Sequence, residues 1–275
     1  MSTRIMAIIN TSPDSFSGDG ISSDETDKLK TRIQTALDQG ADMLDIGGQS
    51  TRPGAVIIDI EEEIRRVVPA ITLARQLTGK SISVDTFKPD VARAALKAGA
   101  TIVNDITGCS DLRMIEVIKE FSCEVVIMHM RGTPQTMSSL TDYPDSVVVE
   151  TKNFLFNQAE KLVEAGIKKE HIILDPGIGF AKTAMQSFEL TKHLDEFIGQ
   201  GYRVLYGASN KSFIGKALAT GDYPAPVSDR AIGTVTVQSH AMMNSVDIVR
   251  VHDVAAAVQT RTIIESIMGT REITL

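Results

Sequence analysis

ISVDTFKPDVARAALKAGATIVND, residues 82–105, holds one complete folding unit. An apolar, β-branched run opens at Ile82 and stops at Asp85, and a segment of helical period covers Pro89–Ala98. A second apolar run then opens at Ile102 and stops at Asn104 and Asp105. Such runs read as strands and the intervening period as a helix. Strand, helix and strand in this order are the connection that parallel strands require.

The same unit recurs in both directions. Further apolar runs begin near Ile5, Met43, Val125, Ile172, Val204 and Ile248. Helical segments are expected over Asp27–Gln39, Ile60–Leu77, Asp111–Phe121, Asp145–Ala165 and Met185–Ile198. After the seventh run come Ser212–Ala219 and Asp229–Met243, and after the eighth Val254–Met268. Eight strand–helix units in unbroken alternation predict an α/β fold, a single-domain (β/α)8 barrel over residues 1–275. A doubly wound open sheet is the alternative. Against it, the first turn, NTSPDSFSGDG, lacks the glycine spacing of a dinucleotide fingerprint.

Composition narrows the functional classes. A 43% hydrophobic fraction supports a sizeable core, and 20 glycines and 9 prolines spread along the chain mark no linker. The formal net charge of −7 argues against a nucleic-acid surface, although a local cluster of Arg and Lys can still dominate a pocket. The 2 cysteines, Cys109 and Cys123, are too few for a disulfide framework. No leader is evident before Ile5 and no apolar run is long enough to span a bilayer, so a cytoplasmic protein is expected.

The runs end on polar groups: Asn10, Asp45, Asp85, Asn104 with Asp105, His129, Asp175, Ser209, and Arg250 with His252. Any one of these reads equally well as a turn former or helix cap; Asp85 and Asp175 precede Pro89 and the DPG turn closely. Together they describe one polar pocket at the strand ends, where barrel enzymes build their sites. Its acidic half, Asp85, Asn104 and Asp175, suits a flat heterocycle rich in N–H donors, which a carboxylate grips as a fork. Its cationic half gathers Arg250, His252, Lys211 and Arg52. Arg250, set inside an apolar strand, needs an anion, either a carboxylate such as Asp253 or a ligand. A metal-hydrolase barrel fits poorly, because neither His129 nor His252 has a companion at ligand spacing. SGDGISSDE and GGQSTRPGAVIID are long strand-to-helix loops of the kind that form lids, mobile when free and ordered by ligand over Asp14–Ser23 and Gly47–Ile57.

These residues carry a family resemblance. NTSPDSFSGDG (10–20), GADMLDIGGQSTRPGA (40–55), SVDTFKPDVARAALKAGATIVNDITG (83–108), MHMRGTP (128–134), ILDPGIGFAKT (173–183), GASNKSFIG (207–215) and DIVRVHD (247–253) occur in order along the whole chain. The chain resembles the bacterial dihydropteroate synthases. The resemblance implies a transferase of folate biosynthesis. It would join hydroxymethyl-dihydropterin pyrophosphate to p-aminobenzoate and release pyrophosphate. It places the pterin against Asp85, Asn104, Asp175 and Lys211, with Ile106 and Met128 as walls. Pyrophosphate falls to Arg250, His252 and Asn10, the last through Mg²⁺. Aminobenzoate falls to a site formed by Asp14, Thr51, Arg52, Pro53, Phe180, Lys211 and Ser212. A homodimer is also implied, with the Ile232–Met243 helix as its interface, and sulfonamides act on this family as aminobenzoate mimics.

Three positions depart from the family pattern: Ser12 for Thr, Ala181 for Gly, and Asn210 for the Arg that precedes the Lys-Ser-Phe turn. Asn210 removes a cation at the mouth of the aminobenzoate site, unless its role is to cap the helix near Ser212. Two other readings stand beside this one. A methyltetrahydrofolate methyltransferase barrel would keep the pterin carboxylates without a pyrophosphate clamp. A silent pterin-binding barrel would have no use for Arg250, His252 and Lys211.

Overall fold

A computed structural model of the chain describes residues 2–11, 23–52 and 54–271. Its strands are β1 (Arg4–Asn10), β2 (Met43–Gly47), β3 (Ser81–Asp85), β4 (Ile102–Asp105), β5 (Glu124–Met128), β6 (Ile172–Asp175), β7 (Arg203–Tyr206) and β8 (Ile248–Val251). All are parallel, each pairs with the next in sequence, and β1 closes on β8. The expected eight-stranded barrel is therefore the fold, and the open sheet is excluded. The first turn together with Asp14, Ser12 and most of the first long loop lies outside the described residues, as does Pro53.

The helices are α1 (Ser23–Asp38), α2 (Ile60–Leu77), α3 (Pro89–Lys97), α4 (Leu112–Phe121), α5 (Val147–Glu164), α6 (Ala184–Lys192), α7 (Ser212–Ala217), α8 (Ala231–Met243) and α9 (Val254–Ile267). Several boundaries are set by caps. Asp59, Asp111, Ser146 and Asp253 each accept a bond from a backbone N–H in the first turn of the helix they precede. Thr183 and Gln186 form a reciprocal capping box at α6. The helix expected over Met185–Ile198 stops at Lys192, because His193 leaves helical geometry and a single tighter turn, Leu194–Glu196, follows.

Two apolar layers hold the barrel. Outward strand residues such as Ile5, Leu44, Ile82 and Val103 pack under the helices. Inward ones, Met6, Met43, Ile102, Val126, Ile173, Leu205 and Ile248, form a separate plug inside it. Both faces of each strand are buried, which is why the strands read as nearly continuous apolar runs. The plug is a solid floor, so chemistry is confined to the strand ends above it.

One turn is fixed by close approach. Gly177 has φ +67°, and a Cβ there would lie 2.0 Å from the His129 carbonyl oxygen, so only glycine lets the DPGIGF turn lie against the end of β5. Four residues on, Ala181 has φ +50°, the left-handed region that costs a side chain about 1–2 kcal/mol. Glycine there would relieve that strain while giving back roughly 0.4–1 kcal/mol of unfolded-state entropy. Ala181→Gly should therefore raise stability by about 0.5–1 kcal/mol, read as a higher urea midpoint with an unchanged slope. An unchanged or lower midpoint would show that the Ala181 backbone is not strained.

Candidate active site

Alternate residues of a strand share a face, so the inward position two beyond each plug residue points into the barrel mouth. Met43 is followed in this way by Asp45, Ile102 by Asn104, Ile173 by Asp175 and Ile248 by Arg250, while on β3 Ser83 is followed by Asp85. Gly47, the next inward position of β2, leaves room for this set, since a Cβ there would sit 3.3 Å from that of Asp85.

Arg250 is the hub. Its Nε donates to Asp45 Oδ2 at 2.5 Å and its Nη2 to Asp85 Oδ2 at 2.6 Å. Burial acts to lower its pKa, but the charges of Asp45 and Asp85 outweigh that and hold it above the ordinary arginine value. The partner offered from sequence, Asp253, is not the one used. It lies beyond the strand and accepts from Ala256 N at 2.9 Å as the cap of α9. Asp45, fully buried in mid-strand, also accepts from Asn104 Nδ2 at 3.3 Å and so ties the acidic half to the cationic half. Its place in this cluster was legible in one signal: an acid within an apolar strand needs an internal cation.

The remaining charges are tuned by burial and by each other. Burial pushes the Asp85 carboxyl up to about 7, with Arg250 pulling it down and Asp45, Glu63 and Asp105 adding to the rise. Burial likewise raises Asp175, against Lys211, the Gly177 N–H at 2.7 Å, Arg250 and Lys182. Lys211 is pushed down to about 8, by burial first and then by Arg250, with Asp175 and Asp85 opposing. Its Nζ donates to the Ile178 carbonyl and lies 4.4 Å from the centre of the Phe180 ring. His252, exposed at the mouth, shares a 2.9 Å bond between Nδ1 and Ser209 Oγ. Desolvation, then the charges of Arg250, Arg52 and Lys211, pushes it down to about 4, so it is a neutral imidazole at pH 7.

Around this centre stand the other expected residues. Met128 closes β5 in register with Asp175, and Ile106 is buried just beyond β4. Asn10 ends β1 half-buried opposite Gly47. Thr51 is half-buried, Arg52 exposed yet close enough to act on His252, and Ser212 opens α7. The loop carrying Thr51 and Arg52 meets the loop after β5: Gly54 N donates to Pro134 O at 2.9 Å and Gln135 Nε2 to Ala55 O at 2.7 Å.

Two of the strand-end residues expected to line the pocket turn away from it. Asp105 accepts from Thr107 N and Oγ1, both at 2.7 Å, as a turn former. His129 is buried under the β6–α6 turn, where its Nδ1 lies 2.9 Å from Lys182 Nζ. Lys182, not singled out from sequence, also donates to the carbonyls of Phe180 at 3.0 Å and His129 at 3.3 Å, and thus fixes the turn that carries Phe180. Asn210 does not cap α7. It sits at φ +59° with its backbone N and side chain on Thr234 Oγ1, and its carbonyl accepts from Arg230 Nη1 at 2.9 Å. Among the described residues no three His, Cys, Asp or Glu side chains are grouped to hold a metal ion.

A barrel with this mouth has known counterparts. The family described as pterin binding enzyme matches residues 6–252. Dihydropteroate synthase of Synechocystis is 45% identical over 94% of this chain and 87% of its own length. The Clostridium difficile dihydropteroate synthase, solved in the presence of pteroic acid, superposes with a TM-score of 0.88 at 39% identity, over 97% of each chain. That of Xanthomonas albilineans, solved with 4-aminobenzoic acid, gives 0.88 at 36% identity, over 97% of this chain and 93% of that one. The chain belongs to the pterin-binding enzymes, in the dihydropteroate synthase family.

The raised Asp85 pKa has a consequence for stability. The native state binds this proton more tightly than the unfolded chain, so the contribution is complete below about 4 and is lost as pH rises through about 7. Asn mimics the neutral carboxyl. Asp85→Asn should therefore stabilise the free protein more, relative to wild type, at pH 8 than at pH 5. Urea unfolding at both values checks this, and an equal difference at the two would refute the shift.

Proposed function

We propose that this chain joins 6-hydroxymethyl-7,8-dihydropterin pyrophosphate to p-aminobenzoate, giving 7,8-dihydropteroate and pyrophosphate. The observation that carries the reading is the pairing, within one barrel mouth, of buried carboxylates with a convergent set of cations. The carboxylates, Asp85 and Asp175, flank the amide of Asn104; the cations are Arg250 and Lys211. Asp85 Oδ1 is buried with no hydrogen-bond partner among the described residues, as expected of an acceptor that serves a ligand N–H. A methyltransferase barrel would not need the cations.

In this scheme the bond between the pterin methylene carbon and the pyrophosphate oxygen breaks first, and the electron pair leaves with pyrophosphate. Arg250 and Lys211 stabilise that departing charge, and His252, neutral at pH 7, offers a ring N–H without competing for the anion's charge. The pterin cation is captured by the aminobenzoate nitrogen, which then loses a proton to pyrophosphate or water. Phe180, fixed by Lys211 and Lys182, and the loop with Thr51 and Arg52 wall the aminobenzoate side and keep water from the cation. No protein nucleophile is required.

Mg²⁺ belongs to this reading as a partner of pyrophosphate. The amide of Asn10 would hold it on the protein side, with phosphate oxygens and water as the other ligands, as suits a hard ion. Its contribution would be to neutralise charge on the leaving group. We place the enzyme in the cytoplasm; among the described residues no helix is long and apolar enough to cross a membrane.

The chain is further proposed to form a homodimer through α8 and α9. These helices pack together; α8 exposes Ile232 and Met243, α9 exposes Ile263 and Ile267, and Met268 is exposed just after it, apolar side chains that a subunit interface would cover. Ile232→Glu should shift sedimentation from dimer to monomer; a monomeric wild type would end this part of the proposal.

Calorimetry tests the site. Asp175→Asn should bind the pterin pyrophosphate ten- to a hundredfold more weakly, the roughly 1.5–3 kcal/mol of a charged hydrogen bond, in a folded protein. Pyrophosphate should bind more tightly with Mg²⁺ than in chelator, and Asn10→Ala should lose that difference. Unchanged affinity in Asp175→Asn sinks the pterin assignment.

A further inference from the structure

The β2–α2 loop reaches the mouth from a base closed by a lysine amine. Lys88, just before α3, donates from Nζ to Gln49 Oε1 at 2.8 Å, to the Ile58 carbonyl at 2.6 Å and to Glu63 Oε2 at 2.6 Å. Gln49 and Ile58 are the two ends of the loop, and the same Gln49 oxygen also accepts from Ile58 N at 3.1 Å. One side-chain oxygen thus receives a donor from each side and closes the loop as a clasp. Glu63 lies beneath it at 1% exposure, and Arg66 steadies the preceding residue through a 2.9 Å bond to the Gly48 carbonyl.

A buried ion pair between α2 and the start of α3 would by itself be only a packing feature. Two facts go beyond that. Two of the three acceptors of Lys88 belong to the loop, not to a helix. Nearer its tip the loop is also held by Gly54 on Pro134 and by Ala55 on Gln135. Thr51 and Arg52 hang between the clasp and those contacts, and Arg52 is close enough to act on His252.

We propose that Gln49, clasped by Lys88 over Glu63, is a positioning residue that sets aminobenzoate affinity without touching either substrate. This rests on the reaction proposed above. Gln49→Leu keeps volume but removes the acceptor, whereas Gln49→Glu keeps an oxygen for both donors. Gln49→Leu should raise the aminobenzoate KM about tenfold and leave the pterin pyrophosphate KM within twofold, and Gln49→Glu should lie within about threefold of wild type in both. Because charged pairs can be exchanged for apolar ones only together, Lys88→Met with Glu63→Met forms the second arm. That double variant should show the same rise in aminobenzoate KM.

Hydrogen exchange separates the clasp from the reaction. In Gln49→Leu, but not in Gln49→Glu, amides of residues 54–58 should exchange about tenfold faster. If wild type makes no dihydropteroate, the reaction is wrong whatever the loop does. Equal rises in both KM values, or Glu behaving as Leu, would overturn the positioning role. So would unchanged exchange beside an unchanged aminobenzoate KM.

Discussion

A guanidinium inside a closed barrel cannot be left without counter-charge, and the way Arg250 meets that demand organises the mouth of this protein. Asp45 and Asp85, from neighbouring strands, each give it one oxygen, and Asn104 ties Asp45 to the next strand but one. Desolvation penalises all three charges, and the remaining oxygens, Asp45 Oδ1 and Asp85 Oδ1, are buried without a donor among the described residues. The cluster is therefore costly to hold and poised for ligand. An anion arriving at Arg250 and a donor-rich ring arriving at Asp85 would each relieve part of the strain the other half imposes.

Below the cluster the plug of Met43, Ile102, Ile173 and their neighbours keeps water out from beneath and holds the inward side chains at one level. The same low-polarity surroundings push Asp85 up and Lys211 down, bringing both toward neutrality. A carboxyl near 7 and an amine near 8 respond to a ligand's charge more readily than groups at their ordinary values. Sensitivity of the site and cost to the fold have one origin.

Two stretches at the mouth are held by lysine amines. Lys88 closes the loop bearing Arg52, and Lys182 fixes the turn bearing Phe180 by donating to two carbonyls. A lysine amine has three donors, so one side chain can gather carbonyls from separate stretches of chain. Arg230 does the same for the turn before Lys211 through the carbonyls of Asn210 and Ala225. Asn210 itself is tolerated at positive φ, as short amide side chains are.

The amino-acid sequence by itself determined the barrel, because eight apolar runs ending on polar residues and alternating with helical periods leave few other ways to bury both faces of a parallel sheet. It also located Asp85, Asn104, Asp175, Arg250 and His252 at or near the strand ends and Lys211 in the turn between β7 and α7. Pairing was decided only by tertiary structure. Asp253 is three residues from Arg250, while Asp45 is 205 residues away in sequence, yet closure of β8 on β1 sets Arg250 facing Asp45 and leaves Asp253 to cap its own helix. His129 and Asp105 read like site residues and became supports, because a strand end fixes where a side chain starts but not which way the following turn carries it. Gln49, Lys88 and Lys182 read as ordinary polar residues and became the fixings of the loops. Hydrogen bonds between distant segments depend on the three-dimensional path of the chain, and no local period in the sequence records that path.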